Sequence, residues 1–124
     1  MEQVLLIADS DWVRNDVTAA LDSATLSVVG ISDPHEAISA GATHNPTAYI
    51  VDMQVASMGG MATTRSLRSA MTAGQIEPSE IILLLDRSAD EFLAKRSGAS
   101  GWVIKPFTAQ DLRGALSQPE PTGA

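Results

Sequence analysis

The chain has 124 residues, of which 44% are hydrophobic and 19% are charged, and this composition is typical of one folded domain. The formal net charge is −7 and the eight Lys and Arg residues are scattered, which argues against nucleic-acid binding, since phosphate backbones are bound by clustered basic side chains. The chain contains no cysteine, so disulfides and thiolate chemistry are excluded.

The N-terminal residues indicate neither a signal peptide nor a membrane span. No basic segment precedes the short apolar run, and Asp9 interrupts that run. We therefore expect a cytoplasmic protein with no membrane segment. The acidic surface is interpreted mainly as a feature that keeps the protein soluble.

The first half of the chain predicts three strands and two helices. Residues 4–8 form an apolar run that is typical of a buried strand, and residues 11–24 place Trp12 and five other apolar residues on one helical face. Residues 26–31 predict the second strand. Asp33 followed by Pro34 is typical of an N-cap and a first helical turn, so we expect a helix through about residue 42. Residues 48–51 predict the third strand.

The second half predicts the same alternation. A helix is expected over residues 60–71, a strand over 81–85, a helix over 88–97 and a strand over 102–104. The last helix, over residues 108–116, begins with Thr108 and Asp111 at a spacing close to that of a capping box. We expect residues 1–117 to form one domain and residues 118–124 to form a linker or disordered tail.

This order of elements is βα repeated five times, and it predicts an α/β fold. We expect a doubly wound five-stranded parallel sheet with right-handed crossovers and helices on both faces. Ligands of such sheets bind beyond the carboxyl ends of the strands, where the strand order reverses. The polar residues that follow the predicted strands are therefore the candidates for a functional site.

Carboxylates and one lysine follow the predicted strands. Asp9 follows the first strand, Asp52 the third, Asp86 the fourth and Lys105 the fifth. Carboxylate oxygens suit Mg²⁺, and a carboxylate beside such an ion can act as a nucleophile toward a phosphoryl group whose charge a lysine helps to neutralise. Asp11 lies two residues after Asp9 and is interpreted either as a cap of the first helix or as a metal ligand.

The chain resembles a response-regulator receiver domain (CheY-like) over nearly its whole length. The stretches that carry the resemblance are VLLIAD at residues 4–9, YIVD at 49–52, MGG at 58–60 and SGASGWVIKPF at 97–107. The resemblance implies a flavodoxin-like fold and a signalling module, not an enzyme, that accepts a phosphoryl group on Asp52 from a histidine kinase or phosphotransfer protein. It also implies a homodimer surface on the fourth helix, fifth strand and fifth helix.

The resemblance also implies roles for other residues. Asp9 would bind Mg²⁺ together with the acceptor carboxylate and the backbone carbonyl of Gln54. Lys105 would pair with the phosphoryl oxygens. Trp102 matches the aromatic residue that changes rotamer on activation, and Pro106 would follow through a cis peptide bond.

Three positions depart from the family pattern. Ala8 stands where the family has a second acid after the first strand, and Ala56 stands where it has a proline. Asp86 occupies the position of a Thr or Ser whose hydroxyl binds the phosphoryl group. A carboxylate about 4 Å from a phosphoryl oxygen would repel it by roughly 4 kcal/mol at an effective dielectric of 20. The connection from Asp86 to Lys105 is also short, so we expect a short fourth helix.

Asp86 has three possible arrangements in the sequence interpretation. It can point outward and leave Ser88 to supply the hydroxyl, it can replace the metal ligand missing at Ala8, or it can pair with Lys105 and hold one state without phosphate.

Two alternative functions accompany the receiver hypothesis. The first is a degenerate pseudo-receiver that binds proteins independently of phosphorylation. The second is a haloacid-dehalogenase-type phosphatase, in which Asp9 would be the nucleophile and Asp11 the general acid, and its short motif favours it much less.

Overall fold

The computed structural model describes residues 2–116, which form five strands and five helices. The strands are Glu2–Ile7 (β1), Leu26–Ile31 (β2), Ala48–Asp52 (β3), Glu80–Leu85 (β4) and Gly101–Ile104 (β5). The helices are Asp11–Leu21 (α1), Ala37–His44 (α2), Gly60–Thr72 (α3), Glu91–Ser97 (α4) and Ala109–Leu116 (α5). Single 3₁₀ turns, Pro34–Glu36 and Ser88–Asp90, lead into α2 and α4. The predicted tail, residues 118–124, lies outside the described residues.

All five strands are parallel and lie in one sheet with the order β2-β1-β3-β4-β5. The predicted doubly wound α/β fold is therefore confirmed. The chain moves outward from β1 to β2 and then returns to the other side of β1, so the strand order reverses between β1 and β3. The crevice at the carboxyl ends of these two strands is where such a sheet binds its ligands.

Alternate side chains of the strands enter two separate cores. Leu5 and Ile7 of β1 pack with residues of α3 and α4, whereas Val4 and Leu6 pack with residues of α1 and α5. Because successive strand residues point to opposite faces, a continuous apolar run is the pattern of a strand covered on both sides. This packing on both faces holds each strand in place and so fixes the positions of the residues that follow it.

Several details differ from the predictions. Trp12 is 50% exposed, because the packed face of α1 consists of Val13, Val17, Ala20 and Leu21. The helix ends at Leu21 and not at residue 24, since the Ser23 hydroxyl accepts hydrogen bonds from the backbone of residues 25 and 26 and forms a turn into β2.

Other local predictions are confirmed. The fourth helix is short, with seven residues. The capping box at the start of α5 is present: the Thr108 backbone donates to the Asp111 carboxylate, and the Asp111 backbone donates to the Thr108 hydroxyl, both at 3.0 Å. Within residues 2–116, no helix combines the length and the apolar character needed to cross a membrane.

Candidate functional site

Asp52 is the most deeply buried acid of the site. It ends β3, its residue is 1% exposed, and Lys105 Nζ lies 2.5 Å from its Oδ1. The backbone N–H of Gln54 also donates to Oδ1, at 3.2 Å. Both hydrogen bonds to the Asp52 carboxylate reach Oδ1. Oδ2 accepts neither of them, which leaves it as the oxygen available to an incoming group.

Gly60 positions the backbone around Asp52. Its N–H donates to the carbonyl of Met53 at 3.1 Å, and a Cβ at Gly60 would lie 2.7 Å from the Asp52 carbonyl oxygen and 2.6 Å from Met53 Cα. Only a residue without a side chain allows α3 to begin this close to the end of β3. The second glycine of the MGG stretch is thus required by the backbone that presents Asp52.

Lys105 is shared between two carboxylates. Its Nζ contacts Asp86 Oδ1 at 3.1 Å in addition to Asp52, and only 9% of its side chain is exposed. The Lys105–Pro106 peptide bond is cis, as the resemblance implied. A single ammonium group therefore balances two neighbouring carboxylates, one of them fully buried.

Asp86 uses both of its oxygens. Oδ1 faces Lys105, and Oδ2 accepts a short hydrogen bond from Gln54 Nε2. Burial alone would raise the pKa of Asp86, but the hydrogen bonds from Gln54 and Lys105 and the charges of Lys105 and Arg87 outweigh it and hold that pKa below its ordinary value. Of the three arrangements considered for Asp86, the contact with Lys105 is the one present in this structure.

Asp9 holds the loop that follows β3. Its Oδ2 accepts the backbone N–H of Ala56 at 2.9 Å, so the end of β1 is tied to the segment beside Asp52. A proline, which the family has at this position, would lack this N–H, so Ala56 supplies a donor that a proline could not.

Fewer carboxylates lie near Asp52 for a metal ion than the sequence suggested. Ala8 is fully buried and offers no ligand, and in the described part of the chain no three His, Cys, Asp or Glu side chains form a metal-binding cluster. Asp11 is exposed in the first turn of α1. Asp9, Asp52 and the carbonyl of Gln54 are the remaining oxygen donors, a set that suits an ion that keeps several waters.

The two tryptophans contact Lys105 and α4. The Trp12 ring stands beside Lys105, with its centroid 5.8 Å from Nζ, a contact that the sequence analysis missed because it assigned Trp12 to the core. Trp102 is partly buried, and its Nε1 donates to Glu91 of α4 at 3.1 Å. The side chain of Gln54 was also missed, since only its backbone carbonyl had been assigned a role.

Comparisons with known proteins point to one family. A family model described as a response regulator receiver domain matches residues 4–117. The nitrate/nitrite response regulator protein NarL of Escherichia coli K12 is 27% identical over 117 residues, which cover 93% of this chain and 53% of NarL. The chain thus spans about half the length of that curated relative.

Solved structures agree with the fold. The chemotaxis protein CheY4 of Vibrio cholerae superimposes with a TM-score of 0.79 at 25% identity, covering 94% of this chain and 96% of CheY4. The receiver domain of the sensor histidine kinase PA1611 from Pseudomonas aeruginosa, which has a magnesium ion in its active-site cleft, gives a TM-score of 0.77 at 22% identity with 93% of each chain covered.

Proposed function

The chain belongs to the response regulator receiver domain family of two-component systems, and from this premise we propose that it accepts a phosphoryl group on Asp52. Receiver domains are signalling modules and not classical enzymes. The observation that carries the proposal is the arrangement of the buried Asp52 carboxylate: Lys105 and the Gln54 backbone hold one of its oxygens, and the other oxygen accepts neither of these bonds.

The chemistry is a transfer between two nucleophiles. Asp52 Oδ2 attacks the phosphorus of a phosphohistidine, the P–O bond forms as the P–N bond breaks, and the imidazole leaves with the bonding electron pair. Lys105 supports the transfer because its ammonium group is already at the acceptor carboxylate and lies next to the negative charge on the transferring oxygens. The donor is a histidine kinase or a phosphotransfer protein.

Mg²⁺ is the cofactor of the proposed transfer. Asp9, Asp52 and the carbonyl of Gln54 would hold it, and the ion supplies positive charge that offsets the phosphoryl oxygens. Because Ala8 replaces one of the family's acids, we expect weaker Mg²⁺ binding than in a receiver with two acids after β1.

Beryllofluoride, a phosphoryl mimic, tests the proposal directly. With Mg²⁺ present, we expect it to shift the amide resonances around Asp52 and Trp102 in the wild-type protein and to leave them unchanged in Asp52→Asn. Incorporation of one phosphoryl group from acetyl phosphate, detected as a mass increase absent from Asp52→Asn, is the covalent counterpart. If neither the resonances nor the mass changes at millimolar Mg²⁺, the proposal is wrong and the pseudo-receiver alternative is favoured.

The surface that responds to phosphorylation is proposed to lie on α4, β5 and α5. Phe92 and Leu93 of α4 are 66% and 48% exposed, β5 is an edge strand, and the Trp102–Glu91 hydrogen bond links β5 to α4. Exposed apolar residues of this size are typical of contact surfaces. Light scattering with and without Mg²⁺ and beryllofluoride should show dimerisation of the wild type that the Phe92→Ser/Leu93→Ser variant lacks; a monomer under both conditions would contradict the homodimer.

A further inference from the structure

The carboxylate of Asp86 occupies the position from which the family's hydroxyl reaches a phosphoryl group. It follows the last residue of β4 and contacts Lys105 Nζ at 3.1 Å, while Gln54 Nε2 donates to its other oxygen. A hydroxyl at this position would donate to a phosphoryl oxygen, but an ionised carboxylate can only accept and carries the same sign of charge as the phosphoryl group. The residue therefore cannot play the hydroxyl's part.

We propose that Asp86 is a positioning residue that occupies Lys105 in the phosphate-free protein and is displaced when Asp52 is phosphorylated. The inference rests on the proposed function and adds the direction of the movement. In a receiver with Thr or Ser at this position, the phosphoryl group attracts the end of β4. In this chain the phosphoryl group takes Lys105 and repels Asp86, so the end of β4 is released.

The exposures of the two partners decide which of them moves. Lys105 is 9% exposed and remains beside Asp52 at 2.5 Å, whereas the side chain of Asp86 is 32% exposed and has solvent on its open side. When negative oxygens arrive at Nζ, the more exposed carboxylate can turn into water, which solvates it. Its departure also frees the side chain of Gln54, so the loop after β3 loses this side-chain link to the end of β4.

Asp86 is better described as a competitor for Lys105 than as a metal ligand. Both of its oxygens are already engaged, one by an ammonium group and one by an amide. A cation near Asp52 would have to compete with Lys105 and Gln54 for these oxygens. The pairing therefore makes phosphorylation of Asp52 less favourable, because the phosphoryl group must displace Asp86 before it can pair with Lys105.

The test compares beryllofluoride binding, in the presence of Mg²⁺, by the wild type, Asp86→Asn, Asp86→Thr and Asp16→Asn. Asp16 is an exposed acid of α1, so its substitution removes one negative charge without removing the contact to Lys105. The affinity is measured from the fluorescence of Trp12, whose ring lies 5.8 Å from Lys105 Nζ. The side-chain amide resonance of Gln54 reports whether its bond to Asp86 is intact.

We expect Asp86→Asn and Asp86→Thr to bind beryllofluoride at least roughly tenfold more tightly than the wild type, and Asp16→Asn to bind like the wild type. In the wild type, binding should shift the Gln54 side-chain amide toward its position in Asp86→Thr. Equal affinity in all four proteins, or a Gln54 amide that does not respond in a wild type that binds, overturns the displacement of Asp86 while leaving phosphorylation of Asp52 intact. Binding by the Asp86 variants alone would mean that Asp86 blocks the site instead of being displaced, and it overturns the inference; binding by none of the four proteins overturns the proposed function together with it.

Discussion

Lys105 pairs with both Asp52 and Asp86. Substitutions at these three residues should therefore change the free energy of unfolding by different amounts. Asp52 is the buried member, with 2% of its side chain exposed, and Asp86 is the more exposed one. Removing the ammonium group leaves a buried carboxylate without its counterion, which is far more costly than removing one carboxylate from a lysine that keeps another. The three positions are therefore not interchangeable in a mutational scan.

We expect Lys105→Met to lower the free energy of unfolding by about 3 kcal/mol and Asp52→Asn to lower it by less than about 1 kcal/mol. The reason is that Asp86 continues to neutralise Lys105 in Asp52→Asn. Urea denaturation of the double variant Asp52→Asn/Asp86→Asn provides the check, because Lys105 is then unpaired. A loss in the double variant equal to the sum of the two single losses would contradict a shared ammonium group.

Asp33 should contribute a pH-dependent part of the stability. Its carboxylate accepts hydrogen bonds from the backbone N–H of His35 at 2.9 Å and from the His35 ring at 3.1 Å, and these bonds, the backbone one first, hold the pKa of Asp33 below its ordinary value. A group whose pKa is lower in the folded state stabilises the fold above its unfolded pKa and loses that effect as the pH falls through the folded pKa.

Asp33→Asn is the matched variant for this effect, since an asparagine keeps a side-chain acceptor for the His35 backbone and removes the charge. We expect the wild type to have the higher Tm at about pH 5, and the difference to shrink toward about pH 3 as Asp33 takes up a proton. Thermal denaturation across this range measures it. A difference that does not change with pH would show that the charge of Asp33 has no role.

At the scale of elements, α2 depends on a glycine for its approach to the sheet. A Cβ at Gly41 would lie 2.2 Å from the hydroxyl oxygen of Tyr49, a β3 residue that is 1% exposed and cannot move aside easily. Gly114 of α5 has no neighbouring atom within 4 Å of the same position. Alanine substitutions at Gly41 and Gly114 therefore distinguish the cost of overpacking from the general preference of helices for alanine.

We expect Gly41→Ala to destabilise the protein by about 1–2 kcal/mol, since overpacking of roughly 1–3 kcal/mol exceeds the helix-propensity gain of alanine. Gly114→Ala should stabilise it by roughly 0.5–1 kcal/mol. Chemical denaturation of both variants gives the comparison. If Gly41→Ala were as stable as Gly114→Ala, α2 would have to pack farther from Tyr49 than the structure shows.

The elements themselves were largely predictable from the sequence because their signals are local. The apolar run at residues 102–104 predicted β5 with Lys105 after its end, whereas the cis bond to Pro106 was implied by the family resemblance. The direction of a single side chain was less predictable, because it depends on how two elements pack. Trp12 follows the helical period next to the apolar face, and the contact with Lys105 arises from the arrangement of α1 against the end of β5.

The partners of Asp86 could not be chosen from the sequence for a similar reason. A carboxylate at this position is compatible with all three arrangements. Which one forms depends on the conformation of the loop after β3, from which Gln54 reaches Asp86. That loop includes Ser57 at a φ of 75°, a backbone conformation that is uncommon for a residue other than glycine. A local irregularity of this kind has no periodic signal in the sequence.

At the scale of the whole molecule, negative charge accumulates at the carboxyl edge of an already acidic protein. The net charge is −7; Asp9, Asp52 and Asp86 all lie at the ends of strands there, and Lys105 pairs with the last two. Repulsion among these carboxylates destabilises the folded state, and any salt weakens this repulsion by screening the charges. A site for Mg²⁺ would add a second, saturable effect, because an ion that binds the folded chain and not the unfolded one stabilises the fold.

We expect Mg²⁺ at ten times its dissociation constant to raise the free energy of unfolding by about 1.4 kcal/mol beyond the effect of sodium chloride at matched ionic strength. Asp9→Asn should lose this increment, because Asp9 is the acid that directly follows the strand core once Ala8 has replaced its acidic neighbour. The substitution also weakens the hydrogen bond from the Ala56 N–H, because a neutral amide oxygen replaces a charged carboxylate. The stability of Asp9→Asn must therefore also be measured without Mg²⁺. Equal stabilisation by Mg²⁺ and by sodium chloride in the wild type would mean that the edge responds to charge screening alone, and the proposed metal ligands would then have to be abandoned.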